Sequence, residues 1–152
     1  MWKRLHPLGI VRQGYSSFGA ALALTLLLDL LPVAVSAAVT PGAPTGSWLA
    51  ENIVGGGVLD RLQTILMIDE KGSMSGFGGC NTLRGKVTFA GDALSFGPIM
   101  STRKACSPAI MDQETKFLSA LERVRRFTVD TVRRKLILFD EEGTPILVFA
   151  AK

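Results

Sequence analysis

Cys80 and Cys106 carry the most reactive side chains in this chain of 152 residues, and they are its only cysteines. A cysteine acts as a nucleophile when its thiolate is stabilised, and a nearby Arg84 or Lys86 would lower the pKa of Cys80 in this way. The only histidine is His6, so the chain beyond it contains no Ser-His or Cys-His nucleophilic pair. An enzyme with Cys80 as its nucleophile is therefore one hypothesis, and it requires that cysteine to be free.

The sequence predicts no catalytic residue, no cofactor and no metal site. Two cysteines without histidine do not complete a closed structural zinc site unless carboxylates join them. Residues 76–79, which are rich in glycine, are not followed by the Gly-Lys-Ser/Thr of a phosphate loop. The acidic residues Asp140, Glu141 and Glu142 fall in a predicted hairpin turn, where solvation explains them better than calcium does. A pair of carboxylates brought together only by the fold remains open.

Residues 1–38 have the pattern of a secretory signal peptide. The basic residues at its start are Lys3, Arg4 and Arg12. An apolar stretch follows and ends in small residues, so we expect cleavage after Ala37 or Ala38 and export to the periplasm or the outer envelope. The alternative is an uncleaved membrane anchor, in which Asp29 near the middle of the helix would cost about 2.5–3.5 kcal/mol.

The rest of the chain predicts a short linker and one domain. Residues 39–46 are rich in Pro, Gly and Thr, which predicts an unpacked linker, and residues 47–152 are long enough for one core. Without residues 1–38 the chain has 14 basic and 12 acidic residues, a balance that argues against nucleic-acid binding. We expect the densest basic residues to form a solvated face, with contact to anionic lipid headgroups as the alternative. These residues are Arg123, Arg125, Arg126, Arg133, Arg134 and Lys135.

Strand patterns outnumber helical ones along the domain. The alternation in residues 61–69 predicts a strand with one face wholly buried and the other partly buried, and residues 72–106 predict short strands separated by glycines. Residues 135–150 predict a closing hairpin. One helix is expected after Ser107 and Pro108, with an apolar stripe in which Glu114 is the one polar member. The expected fold is therefore mostly β with a single α-helix.

Two short motifs surround the cysteines. The first, G-x-x-G-C-N-x-x-x-G, consists of Gly76, Gly79, Cys80, Asn81 and Gly85, and the second, T-x-x-A-C, consists of Thr102, Ala105 and Cys106. Together they resemble the META domain of HslJ-like proteins, and the resemblance extends over residues 46–150. It implies a small antiparallel β-barrel-like domain in which these motif residues are structural. It also implies a stress-linked envelope protein, associated with heat shock or antibiotics, that has no agreed catalytic activity.

We expect Cys80 and Cys106 to form a disulfide. Export would take them to an oxidising compartment, where paired cysteines persist as disulfides, and the resemblance implies that the two motifs meet in space. Two buried, unlinked thiols are the alternative. A disulfide would also remove Cys80 as a nucleophile.

These observations favour a non-enzymatic, exported envelope protein with a role in stress. The alternative is a periplasmic binding module, either a protease inhibitor or a carrier of a small apolar ligand. An enclosed cavity would favour the carrier, whereas a filled core with a protruding rigid loop would favour the inhibitor. The sequence names no partner: a peripheral contact with the envelope membrane, a protein and a small apolar ligand all stay open.

Overall fold

The computed structural model of the chain describes residues 42–152, which contain nine β-strands and one α-helix. The strands are β1 (Gly46–Ile53), β2 (Ile65–Ile68), β3 (Ser73–Phe77), β4 (Thr82–Ala90), β5 (Ala93–Phe96), β6 (Met100–Ser101), β7 (Arg126–Asp130), β8 (Lys135–Phe139) and β9 (Pro145–Ala151). The helix is α1 (Pro108–Arg123). The predicted signal peptide and residues 39–41 of the predicted linker lie outside the described residues.

All the strands belong to one antiparallel sheet that closes on itself. Its neighbours run in the order β3-β2-β1-β9-β8-β7-β5-β4, and β4 then pairs with β3 to complete a ring. The short strand β6 pairs with the first part of β4. The predicted closing hairpin consists of β8 and β9, and β9 is paired on its other side with β1. The structure thus confirms a mostly β, barrel-like fold with a single helix.

Side-chain alternation along the strands sends large apolar residues to the inside of the ring. In β8, Leu136 and Leu138 are fully buried, whereas the residues between and after them are half-buried. In β2, Leu66 and Ile68 are buried and Met67 is exposed, as the alternation in residues 61–69 predicts. The buried residues from the strands and the helix form one hydrophobic cluster.

Helix α1 spans the ring and buries one of its faces against it. The helix contacts β1 and β9 on one side of the ring and β5 on the other. Phe117 packs edge-on against Phe149 of β9, with ring centroids 6.2 Å apart. The helix begins as predicted, with Ser107 as its N-cap and Pro108 in its first turn. Within residues 42–152, no helix is both long and apolar enough to cross a membrane.

Two local features differ from the sequence predictions. Pro44 lies in the segment that we expected to be unpacked, but it is buried and its carbonyl accepts a hydrogen bond of 2.8 Å from the Trp48 indole. The indole N–H needs a partner when the ring is buried, and the preceding segment supplies it. In addition, Gly85 does not interrupt a strand, because β4 runs continuously through it and pairs with β3 and β6 on its two sides there.

Candidate functional site

The disulfide joins the loop between β3 and β4 to the start of the helix. Cys80 and Cys106 are bonded, with Cα atoms 6.0 Å apart, so the predicted disulfide is confirmed and the alternative of two unlinked thiols is wrong. Cys80 is buried, whereas Cys106 is exposed just before the N-cap of α1. The sulfur of Cys80 is therefore engaged in a bond and does not offer a thiolate.

Asn81 ties the same loop to the segment that leads to Cys106. Its side-chain Oδ1 accepts hydrogen bonds from the Thr102 hydroxyl at 2.8 Å and from the backbone N–H of Lys104 at 2.7 Å. Its Nδ2 donates to the Lys104 carbonyl at 3.3 Å. Both predicted motifs are thus brought together, as the resemblance implied, and Asn81 joins them by side-chain hydrogen bonds.

Glu114 of α1 holds the loop from the helix side. Its side chain is only 4% exposed. Its Oε2 accepts the backbone N–H groups of Cys80 at 3.1 Å and of Asn81 at 2.7 Å, and its Oε1 accepts the Asn81 side-chain amide at 2.7 Å. Consecutive backbone N–H groups that converge on one anion form a nest, and here the anion is a side chain of the same molecule. We call Glu114, Asn81, Thr102 and the backbone of residues 80 and 104 the Glu114–Asn81 cluster.

A second set of hydrogen bonds extends from the helix to the loop before β2. Gln113 donates from Nε2 to the Thr64 hydroxyl at 3.1 Å and accepts the N–H of Leu59 at 2.7 Å. The Thr64 hydroxyl donates in turn to the carbonyl of Gly78 at 3.3 Å. Within residues 42–152, every buried side-chain nitrogen and oxygen has a hydrogen-bond partner. The arrangement therefore fixes loops, because its polar groups bond to one another.

The glycines of the loop make room for this arrangement. A Cβ on Gly78 would lie 2.6 Å from Glu114 Oε2. Gly79 has a φ of +117°, a backbone conformation that residues other than glycine rarely adopt. The remaining motif residues lie close by: Gly76 faces Leu66 across β2 and β3, Gly85 faces Met74 across β3 and β4, and Ala105 is exposed beside Cys106.

The sequence interpretation missed three buried polar residues of these sets. Glu114 was visible as the one polar member of an apolar helical stripe, and that exception was the available signal. Thr64 gave no signal, since it lies on the buried face of the alternating residues 61–69 and reads as part of a strand pattern. Gln113 also gave none, because its partners are distant in sequence.

One of the three acidic turn residues differs from its predicted environment. Asp140 is buried, and its Oδ1 accepts the backbone N–H of Thr144 at 2.8 Å, so it closes its own turn instead of being solvated. Glu141 and Glu142 are exposed, as predicted. Among residues 42–152, no three His, Cys, Asp or Glu side chains are grouped so that they could hold a metal ion.

The predicted basic face is divided between the two ends of the β7–β8 hairpin. Arg126 lies opposite Phe139 at one end, whereas Arg133 and Lys135 lie at the other. There Arg133 pairs with Asp130 at 3.4 Å, and Lys135 pairs with Glu51 of β1. The six basic residues therefore do not form one continuous patch.

Several grooves open at the surface of the described residues, and three of them are large enough to hold a small ligand. One of about 470 Å³ lies on the outer face of β2, β3, β4 and β6. Two others, of about 490 and 370 Å³, adjoin each other between residues 53–59 and the outer side of α1. The ring interior is filled by side chains, so the accessible space lies outside it.

Comparisons with known proteins agree with the motifs. The family profile of the META domain matches residues 41–152. An NMR structure of a protein from Burkholderia xenovorans is 27% identical, with a TM-score of 0.58, over 70% of this chain and 81% of that chain. A crystal structure of a DUF4847 family protein from Bacteroides vulgatus is 16% identical, with a TM-score of 0.52, over 71% of this chain and 93% of that chain, and shows similarity of fold alone. A comparison with curated proteins finds no match. Since the profile matches well over half of this chain, the chain belongs to the META domain family.

Proposed function

We propose that this protein is exported to the cell envelope and acts there by binding, without a chemical step of its own, during heat or antibiotic stress. The disulfide carries the proposal. The only two cysteines of the chain are bonded to each other, and structural disulfides persist in oxidising compartments such as the periplasm. The predicted signal peptide in residues 1–38 supports the same compartment.

The state of the motif residues supports binding over catalysis. Catalytic groups need a free lone pair or proton at a site that substrate can reach. In this loop the sulfur of Cys80 is bonded, and the carboxylate of Glu114 and the amide of Asn81 are buried and bonded to each other. These groups bond to other groups of the protein, so they stabilise the fold and are not free to act on a substrate.

The filled ring favours binding at the outer surface over enclosure of a ligand. Phe117, Phe149 and Leu121 occupy the interior and are fully buried. A carrier of the lipocalin kind needs an empty interior, so a surface groove or an exposed loop is the better candidate for the contact with a partner.

Cell fractionation followed by intact-mass measurement tests the compartment. Cells that express the whole coding sequence should hold the protein in the envelope fraction, as a chain that starts at Ala38 or Val39. An alkylating agent added without reductant to the denatured protein should label neither cysteine, whereas a Cys106→Ser variant should show one labelled thiol. Recovery from the cytoplasm with both thiols labelled would refute the proposed export.

Growth of a deletion strain tests the stress role. The strain should lose viability relative to its parent after heat shock or at sub-lethal antibiotic concentrations, and the wild-type sequence should restore it. A strain that grows like its parent under both stresses would contradict this part of the proposal.

A further inference from the structure

The outer face of the sheet carries a row of side chains in register across four strands. Met67 of β2 lies opposite Ser75 of β3, Ser75 lies opposite Arg84 of β4, and Arg84 lies opposite Met100 of β6. These four residues line the groove of about 470 Å³. Strand spacing of about 4.8 Å places Met100 roughly 5 Å, and Met67 roughly 10 Å, from Arg84 along this row.

Two cations in the groove have no anionic partner. Arg84 and Lys86 are two positions apart on β4, so their side chains share the outer face, and both are exposed. The ion pairs found within residues 42–152 include neither of them. A guanidinium offers a fork of donors that matches a carboxylate or a phosphate.

One acid lines the same groove. Asp69 lies opposite Ser73, in the row that contains Lys86, at roughly 10 Å from β4. Its Oδ1 already accepts the backbone N–H groups of Lys71 at 2.9 Å and of Ser73 at 2.7 Å. With two cations and one acid, the groove carries a net positive charge, and that charge is greatest around Arg84.

The walls of the groove are apolar and exposed. Met67 is 42% exposed and Met100 is 69% exposed, which makes them two of the few large apolar side chains that water reaches in the described part of the chain. Methionine side chains are flexible and polarisable, so they adapt to alkyl chains of different shape. Pro98 adds a further apolar surface at the β6 side.

We propose that this groove binds a single-chain anionic amphiphile. Its carboxylate or phosphate head would bond to Arg84, with Lys86 beside it, and its alkyl chain would lie against Met67 and Met100. An uncharged ligand would leave both cations without a partner, and a cationic one would be repelled. The inference rests on the proposed binding function and names the ligand class.

The groove beside α1 offers a weaker case for such a ligand. Of its two cations, Lys116 is already paired with Asp112, with Nζ and Oδ2 2.7 Å apart, which leaves Arg123 as the single unpaired one within residues 42–152. A ligand anion would have to compete with that carboxylate. This groove serves instead as the internal comparison for the experiment.

Titration with decanoate and decyl phosphate, below their micellar concentrations, tests the proposal. Protein purified from cells that express the whole coding sequence is followed by ¹⁵N NMR. Both ligands should bind saturably and shift the amide signals of β2, β4 and β6. Acetate should bind at least about tenfold more weakly, and decyltrimethylammonium should not bind. Equal binding of the cationic amphiphile, or shifts confined to α1 and residues 53–59, would overturn it.

Matched substitutions assign the binding to the groove. Arg84→Gln should weaken decanoate binding at least about tenfold, since hydrogen bonds to charged groups are worth more than neutral ones. Met100→Ser should weaken the binding of decanoate and leave the binding of acetate unchanged. Arg123→Gln, which removes an exposed charge from the groove beside α1, should change neither, and an equal loss in this variant would overturn the assignment. All three positions are exposed, so unchanged thermal unfolding is expected.

Vesicles distinguish a free ligand from a lipid surface. Sedimentation with phosphatidylglycerol vesicles should not deplete the protein more than sedimentation with neutral vesicles does. Vesicle binding without decanoate binding would overturn the proposal in favour of a membrane contact. These titrations are made in solution, so their result does not depend on where the protein is found in the cell. If the protein binds decanoate but is found in the cytoplasm, only the proposed export is refuted. If it is exported but does not bind decanoate, only the proposed ligand site is refuted.

Discussion

Replacement of Glu114 by Gln tests whether its carboxylate holds the β3–β4 loop. The two side chains have the same shape, but Gln has one acceptor oxygen where Glu has two. If that oxygen takes the place of Oε2 and keeps the N–H groups of residues 80 and 81, the new NH₂ faces the side-chain NH₂ of Asn81. Asn81 has no favourable response, because turning its amide would present NH₂ to the N–H of Lys104, which its Oδ1 now accepts at 2.7 Å.

The magnitude follows from the number of bonds affected. Two hydrogen bonds change from a charged to a neutral acceptor, and each loses about 1 kcal/mol on the usual scales. The third bond is replaced by two opposed donors, one of which is left unsatisfied in a buried site at a cost of about 1–3 kcal/mol. The free energy of unfolding should therefore fall by about 3–5 kcal/mol, a large share of the ~5–15 kcal/mol that is typical of a domain.

Urea unfolding of the oxidised protein measures this change, with the fluorescence of the buried Trp48 as the signal. With a slope of about 2 kcal/mol per molar urea, the midpoint should fall by about 1.5–2.5 M. Asp112→Asn is the matched control, because it makes the same chemical change on the same helix in an exposed pair with Lys116, and exposed pairs contribute only about 0–1 kcal/mol. Equal midpoints for the two variants would refute the reasoning.

Three further predictions use the same unfolding assay. Gly78→Ala should lower the free energy of unfolding by about 1–3 kcal/mol, because its Cβ would lie 2.6 Å from Glu114 Oε2. The control is Gly57→Ala, whose Cβ would meet nothing within 4 Å, so it should be neutral or stabilise by up to about 1 kcal/mol. Equal effects of the two variants would contradict the predicted clash. Replacing both cysteines by Ala should remove about 3–4 kcal/mol, since the bond closes a loop between residues 26 positions apart, and reduction of the wild type should do the same. The Ser73 N–H lowers the pKa of Asp69 below 3.8, so the stability that this carboxylate adds is present above that value and is lost as pH falls through the lower folded pKa. The difference between wild type and Asp69→Asn should thus stay constant above about pH 5 and shrink in more acidic solution, and a constant difference at pH 2 would contradict the assignment.

The elements that could be predicted are those whose signals are local in sequence. The alternation in residues 61–69 reports the two faces of β2, because successive side chains of a strand point to opposite sides. The pair Ser107 and Pro108 marks the start of α1, because proline fits the first turn of a helix, where no backbone donor is needed. The disulfide was predicted only with the added help of compartment and family resemblance.

The features that could not be predicted depend on contacts between distant residues. Glu114 is 33 positions from Asn81, and no periodicity in the helix identifies the acceptor that a loop so far away requires. Pro44 sits in a composition typical of linkers, and it is buried because a neighbouring indole needs its carbonyl. Asp140 belongs to a run of acidic residues, which suggests exposure to solvent. It is buried because its carboxylate is the hydrogen-bond acceptor for the N–H of Thr144 in the same turn. In each case a buried hydrogen-bonding group decided the outcome.

The Glu114–Asn81 cluster and the outer groove are connected through β6. A strand of two residues has too few hydrogen bonds to be stable alone, but the residue after it, Thr102, bonds to Asn81 by its hydroxyl and to Thr82 by its backbone N–H. These bonds hold β6 against β4 and keep Met100 opposite Arg84. The motif residues Asn81 and Thr102 therefore contribute to the groove without lining it: they fix the edge of the surface, and the exposed side chains on that surface determine what binds there.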